Sequence, residues 1–260
     1  MAPHDDWRGG GSFMSEEWDY YRCRVDDEPA SIFLDLGIAQ SAPVPGFNEA
    51  AYVRLWMNNP RPDGLSSQEE FETLVSIEDA LKAEIGHSDT TIYVGRNTSS
   101  GRRDFFFYTK DAAALRVSVS AALAQFGDYK AEIGIRPDES WGVYFNFLYP
   151  NDSQKQVMAN RGVIQALGNE GDDGRTPRQV DHLILVETRE LAEALARLVS
   201  GLGFTLKPET PFEREDGEWG VEFDKIEAPV EIDETTIMLS KLAREHGGDY
   251  DGWGCEAQVA

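Results

Sequence analysis

The chain has 260 residues, of which 41% are hydrophobic, and 47 acidic against 24 basic side chains give a formal net charge of −23. That length and apolar content suit one large or two ordinary packed domains and exclude global disorder. The acidity is shared by both halves, −11 over residues 1–150 and −12 over 151–260, which argues against a phosphate-backbone binder.

No stretch approaches the roughly 18 apolar residues of a membrane span. The N-terminus lacks the basic and apolar regions of a signal peptide, so a cytoplasmic protein is expected. Residues 1–13, with Gly9-Gly10-Gly11-Ser12, read as a flexible leader, and Met14 as a more natural start. Cys23 and Cys255 are the two cysteines. They have no metal-type spacing, and reduced thiols are expected rather than a bridge between opposite ends of the chain.

Residues 14–149 read as a first domain. Trp18–Val25 and Ser31–Ile38 are expected as strands around the turn Asp26-Asp27-Glu28-Pro29. Pro43 and Pro45 make the next stretch a loop. Tyr52, Val53, Leu55 and Trp56 lie in a third strand. Ser66 with Glu69, or Ser67 with Glu70, fits a capping box. Phe71, Leu74, Val75, Leu81 and Ile85 then line one helix face. Thr90–Gly95 and Asp104–Thr109 predict a hairpin around residues 97–101. Asp111 caps a helix with the stripe Leu115, Val119, Ala122 and Phe126. Two more strands are expected, Tyr129–Ile135 and Trp141–Leu148.

Residues 150–260 read as a second domain. Pro150-Asn151-Asp152 opens a helix over residues 153–167, with Val157, Ile164 and Leu167 inward and Gly168 as its stop. Val180–Glu187 is a strand, and Thr188 caps a helix bearing Leu191, Leu195, Leu198, Val199 and Leu202. Phe204–Leu206 and the alternation Trp219, Val221, Phe223 give two strands. Asp233 caps the last helix, with Met238, Leu239 and Leu242 inward, which Gly247 and Gly248 end. The chain closes on a strand with Trp253 and Cys255 on one face and Tyr250 on the other. Both halves thus follow the order β-α-β-β-α-β. The expected class is α+β: two ferredoxin-like domains with antiparallel sheets, the first with extra strands.

Tyr250-Asp251-Gly252-Trp253-Gly254, after a Leu-rich helix, resembles the C-terminus of the RraB family, regulators that inhibit ribonuclease E. Upstream, Asn160-Arg161-Gly162-Val163-Ile164 leads through Gly171-Asp172-Asp173-Gly174 to Pro177-Arg178-Gln179-Val180-Asp181-His182. That succession of helix, acidic glycine turn and His-bearing strand resembles the same family, over roughly residues 151–256. Trp18-Asp19-Tyr20-Tyr21 and the element order of the first half resemble the bacterial domain of unknown function 695 family, which implies no activity. The first resemblance implies a non-enzymatic regulator that binds a ribonuclease E-like enzyme, or its basic scaffold segment, without touching RNA. The chain departs from the better-known inhibitors in its extra N-terminal domain and in having no long acidic tail after Cys255.

The residues point the same way. A catalytic site needs a nucleophile, a base or a metal brought together, and no such set is visible. His182 follows Asp181 in a strand, so the two point to opposite faces. His87 and His246 lie at helix C-termini, where the dipole favours a cation. Asp172 and Asp173 lack EF-hand spacing, and Glu213, Glu215, Asp216 and Glu218 read as a solvated hairpin tip. Arg102-Arg103 is too small a cluster for nucleic acid. No cofactor or metal is expected. The expected partner-binding residues are Asp172, Asp173, Asp251 and Trp253. The alternative is a small-molecule-binding or enzymatic N-terminal domain using Trp18, Tyr20, Tyr21, Trp56 and Trp141.

Overall fold

The computed structural model describes residues 15–86 and 89–258. The expected leader, the start at Met14 and His87 lie outside them. The chain divides into two compact units between Pro150 and Asn151. Each is a mixed α/β unit built on an antiparallel sheet.

The first unit runs β1 (Trp18–Val25), β2 (Glu28–Asp35), β3 (Glu49–Trp56), α1 (Gln68–Gly86), β4 (Thr91–Ser99), β5 (Arg102–Thr109), α2 (Ala112–Leu123) and β6 (Ala131–Pro137). Its sheet order is β1-β2-β4-β5-β3-β6, and every neighbouring pair is antiparallel. Val53, Leu55, Phe105 and Phe107 form one face of that sheet, and Leu74, Ile77, Leu81, Leu115 and Val119 cover it. The Asp111 carboxylate caps α2 by accepting from the amides of Ala113 and Ala114. At α1 half of the expected box is present: Ser67 Oγ accepts from Glu70 N, while the Glu70 side chain turns to the amides of Asn58 and Asn59. Phe71 is exposed rather than inward, and Ile77 fills the core.

Two expectations in this unit are corrected. The hairpin strands reach to Ser99 and Arg102, and Ser100 and Gly101, both at positive φ, make the two-residue turn. Asn97, Thr98 and Ser99 look like loop in sequence, yet they are buried within the sheet. Within the segment 141–148 the chain is helical from Gly142 onward, ending in one π-helical turn over Tyr144–Leu148, while Trp141 before it has φ +57°. Its alternating aromatics suggest a strand, but the fully buried side chains are Trp141, Tyr144 and Leu148, at helical spacing. Asp138 starts the turn by accepting from the amides of Gly142 and Val143. The segment covers the second sheet face. Trp141 stacks on Tyr108 with centroids 3.9 Å apart, and the hydroxyls of Tyr21 and Tyr144 donate to the carbonyls of Leu148 and Asp35.

The second unit runs α3 (Asp152–Asn169), β7 (Arg178–Val186), α4 (Arg189–Gly201), β8 (Thr205–Leu206), β9 (Phe212–Glu213), β10 (Trp219–Glu227), α5 (Asp233–Glu245) and β11 (Gly248–Gly254). The sheet order is β11-β7-β10-β8, with β9 also on β10. Its core joins Ile184, Val186, Val221 and Phe223 to Leu195, Val199 and Leu239. Met238, expected inward, is exposed, and so are Leu198 and Leu202 of the α4 apolar set. Asn151 and Gln154 form a reciprocal capping box on α3. Gly168 lies inside that helix. The stop is Gly171, at φ +89°, where Gly171 N donates to Gly168 O and Asp172 N to Leu167 O, the Schellman pattern. Asp233 is the first residue of α5 and does not cap it; its carboxylate faces Asn160 instead.

Candidate partner-binding site

β11 is the edge strand of the second sheet. Its register on β7 sets Tyr250 opposite Ile184, Gly252 opposite Leu183 and Trp253 opposite His182. Asp251 is therefore an extra, bulged residue. The bulge puts Tyr250 and Trp253, three residues apart, on the same face. Simple alternation assigns them opposite faces, and that expectation is corrected. Gly252, at φ +114°, supplies the conformation the bulge requires.

Both aromatics are tied down by polar groups. The Tyr250 hydroxyl lies 2.8 Å from His182 Nδ1, and burial pushes its pKa well above the ordinary phenol value. His182 is buried between Phe204 and Phe223, with Nε2 3.4 Å from Glu227 Oε1. Burial alone would raise the Glu227 carboxyl, but the adjacent His182 imidazole, a hydrogen bond from Thr235 and the Lys225 charge hold it below its usual value. The half-buried Trp253 donates from Nε1 to Asn160 Oδ1 at 2.9 Å. Asn160 is fully buried in α3, accepts from Gln156 Nε2, and donates to Asp233 Oδ1 and Thr236 Oγ1, both at 2.7 Å. One side chain thus fastens β11 to α3 and α5. The resemblance motif contains Asn160, but its role was missed. The available signal was an amide in mid-helix, where Asn is a poor helix former.

Of the four expected site residues, Asp251 and Trp253 come together. With Asp181, His182, Leu183, Glu222, Gly252 and Gly254 they line a shallow depression of about 330 Å³. Asp251 is exposed on its rim. Asp181 is engaged by Lys207 at 2.5 Å, and Lys207 also reaches Asp224 at 3.4 Å. Burial would raise the Asp181 carboxyl, but the hydrogen bonds from Lys207 and Gln179 hold it below its ordinary value.

Asp173 is exposed and accepts from Arg175 N. Asp172, also expected at the partner surface, is buried instead. Its carboxylate takes a two-pronged contact from the Arg178 guanidinium and the amides of Gly174 and Gln258. Those bonds, Arg178 first, hold the carboxyl well below the usual carboxylate range. Asp172 therefore fixes the C-terminal segment against the start of β7 and presents no free charge. The acidic run around Gly217 is an exposed hairpin tip between β9 and β10.

The N-terminal aromatics do not converge on one pocket. Trp141 and Tyr21 are buried and hydrogen-bonded, and Trp18 stacks on Tyr93 in the helix-side core. Trp56 lies under Lys130, with Nζ 4.4 Å from its ring centroid. Among the described residues no three His, Cys, Asp or Glu side chains are grouped to hold a metal, and no helix is long and apolar enough to cross a membrane.

Fold and site thus define a two-unit α/β protein whose second unit presents a half-buried tryptophan on an acidic sheet edge. Residues 16–149 match the model of a family of unknown function, DUF695, and the chain belongs to that family. Residues 158–255 match the family described as regulator of ribonuclease activity B. A curated relative of that name from Shewanella denitrificans is 27% identical over 106 residues, spanning 39% of this chain and 81% of that protein.

Proposed function

We propose that this is a non-enzymatic, cytoplasmic regulator that binds a ribonuclease E-type endoribonuclease directly and lowers its activity, changing RNA turnover without contacting RNA. The observation that carries this reading is the regulator family's match over 158–255, which falls inside the second compact unit. The edge built from Asp251 and Trp253 supports it. A depression rimmed by Asp251 and lined by Asp181 and Glu222 suits a basic segment of the enzyme or its scaffold, since charge guides encounter. The net charge of −23 supports a protein rather than an RNA partner. On this reading both units are ferredoxin-like. The strand orders β4-β5-β3-β6 and β11-β7-β10-β8 support that, with β1 and β2 added to the first.

The test mixes the full chain with a purified ribonuclease E-type enzyme and follows cleavage of a fluorescent RNA. Binding with dose-dependent slowing is expected. Unchanged cleavage together with no detectable complex would overturn the proposal.

A further inference from the structure

The first unit holds a concavity of about 370 Å³ on the sheet face away from α1 and α2. Ligand sites span about 300–1,000 Å³. The cleft lies between β3, β5 and β6 and the helical segment 141–148. Its walls include the rings of Tyr52, Phe106 and Phe147 and the Val143 side chain. Phe106 and Phe147 meet edge to face, with centroids 5.5 Å apart. Gly134 makes room: a Cβ there would run into the Tyr52 ring, so the ring can lie against β6 only at a glycine.

The walls are already fixed. The Tyr52 hydroxyl donates to Glu132 at 3.3 Å, and the Arg54 guanidinium sits 5.2 Å from the ring centroid. Asp138 fastens the opposite wall by accepting from the Tyr108 hydroxyl at 2.6 Å and from the amides of Gly142 and Val143 at 2.8 and 2.9 Å. Those three donors engage Asp138, the carboxylate nearest in sequence to Arg136, and Asp138 also feels the Arg136 charge. Arg136 is the one charged residue in the lining, and it is exposed. In so acidic a chain, a cleft whose single charge is positive selects for an anion.

We propose that this cleft binds a small, flat aromatic acid, its ring between Tyr52, Phe106 and Phe147 and its carboxylate on Arg136. Aromatic walls favour stacked or edge-on rings, and a guanidinium matches a carboxylate with two parallel hydrogen bonds. A nucleotide fits poorly, because its phosphates need several donors or a helix N-terminus and the lining offers one arginine. The site is independent of the ribonuclease-binding proposal, since it lies wholly within the first unit.

The test titrates the full chain with anilinonaphthalene sulfonate, an aromatic anion whose sulfonate stands in for the carboxylate. Phenylnaphthylamine serves as the uncharged counterpart. Saturable one-to-one binding of both probes is expected. Arg136→Gln, at an exposed position, should weaken the sulfonate about tenfold and leave the amine unchanged, the loss typical of one charge-assisted contact. Val143→Trp should fill the cleft and remove both, with far-UV circular dichroism confirming the fold. If that variant does not fold, Arg136→Gln decides alone. Absence of saturable binding, or equal affinities before and after Arg136→Gln, would overturn the assignment.

Discussion

The contact between Trp253 and Asn160 spans 93 positions of sequence and closes the edge of the second sheet, and a double-mutant cycle measures it. Trp253→Phe keeps an aromatic ring and removes the indole N–H. Asn160 Oδ1 retains Gln156 as a donor, so this change should cost about 1 kcal/mol, the net worth of one hydrogen bond. Asn160→Ala strips the partner from four groups at once: the Gln156 amide, the Trp253 N–H, the Asp233 carboxylate and the Thr236 hydroxyl. At about 1 kcal/mol each, the expected loss is about 4 kcal/mol. The double variant should lose about 1 kcal/mol less than the sum, because the shared bond is counted in both single changes. Trp253→Ala removes the ring as well. A large aromatic buries roughly 200 Å², which at about 25 cal/mol per Å² gives an upper bound of about 5 kcal/mol. Trp253 is only half-buried on an edge strand, so about 3 kcal/mol is expected. The assay is urea unfolding of the full chain followed by far-UV circular dichroism, which does not depend on the tryptophan removed. Strict additivity of Trp253→Phe and Asn160→Ala would refute the coupling. A loss below about 0.5 kcal/mol for Trp253→Ala, the size of an ordinary surface change, would refute the anchored tryptophan.

Other expectations follow from the same geometry. The fragment 151–260 should unfold cooperatively on its own, because it contains a whole sheet and core; a broad, non-cooperative melt would count against that. Asp172→Asn should destabilise the chain at pH 7. The folded carboxyl is depressed, so its contribution is present above the unfolded value and is lost as acid titrates toward the folded one. The gap in melting temperature between wild type and variant should therefore close from about pH 4 downward, and a gap constant with pH would contradict the buried ion pair. If the acidic edge guides a basic partner, the pair Asp173→Asn and Asp251→Asn should slow association and flatten its salt dependence with little change in dissociation. Stopped-flow or surface-based kinetics reads this, and an unchanged association rate would remove the edge from the encounter.

Much of the fold was legible in the sequence because it is local. Asp111, Asn151 and Thr188 cap their helices through bonds to amides two or three residues away. The alternation of Trp219, Val221 and Phe223 puts alternate residues on one face of β10. The turn chemistry around Pro150 falls where the two units divide. These features depend on period and on neighbours, and both are written along the chain.

What the tertiary structure decided depends on partners far away in sequence. An acidic residue in a glycine turn reads the same whether it is solvated like Asp173 or buried like Asp172, and only Arg178 and Gln258 N tell them apart. Asn97, Thr98 and Ser99 look like loop, yet neighbouring strands satisfy their backbone groups. Segment 141–148 has strand-like alternation, but Tyr108, Asp138 and Phe47 hold it as a helix. One bulged residue, Asp251, reverses the facing of everything after it, so Trp253 turns toward Asn160. Side-chain period fixes which residues can share a face, but the face itself is chosen by the burial of groups that meet only after the chain has folded.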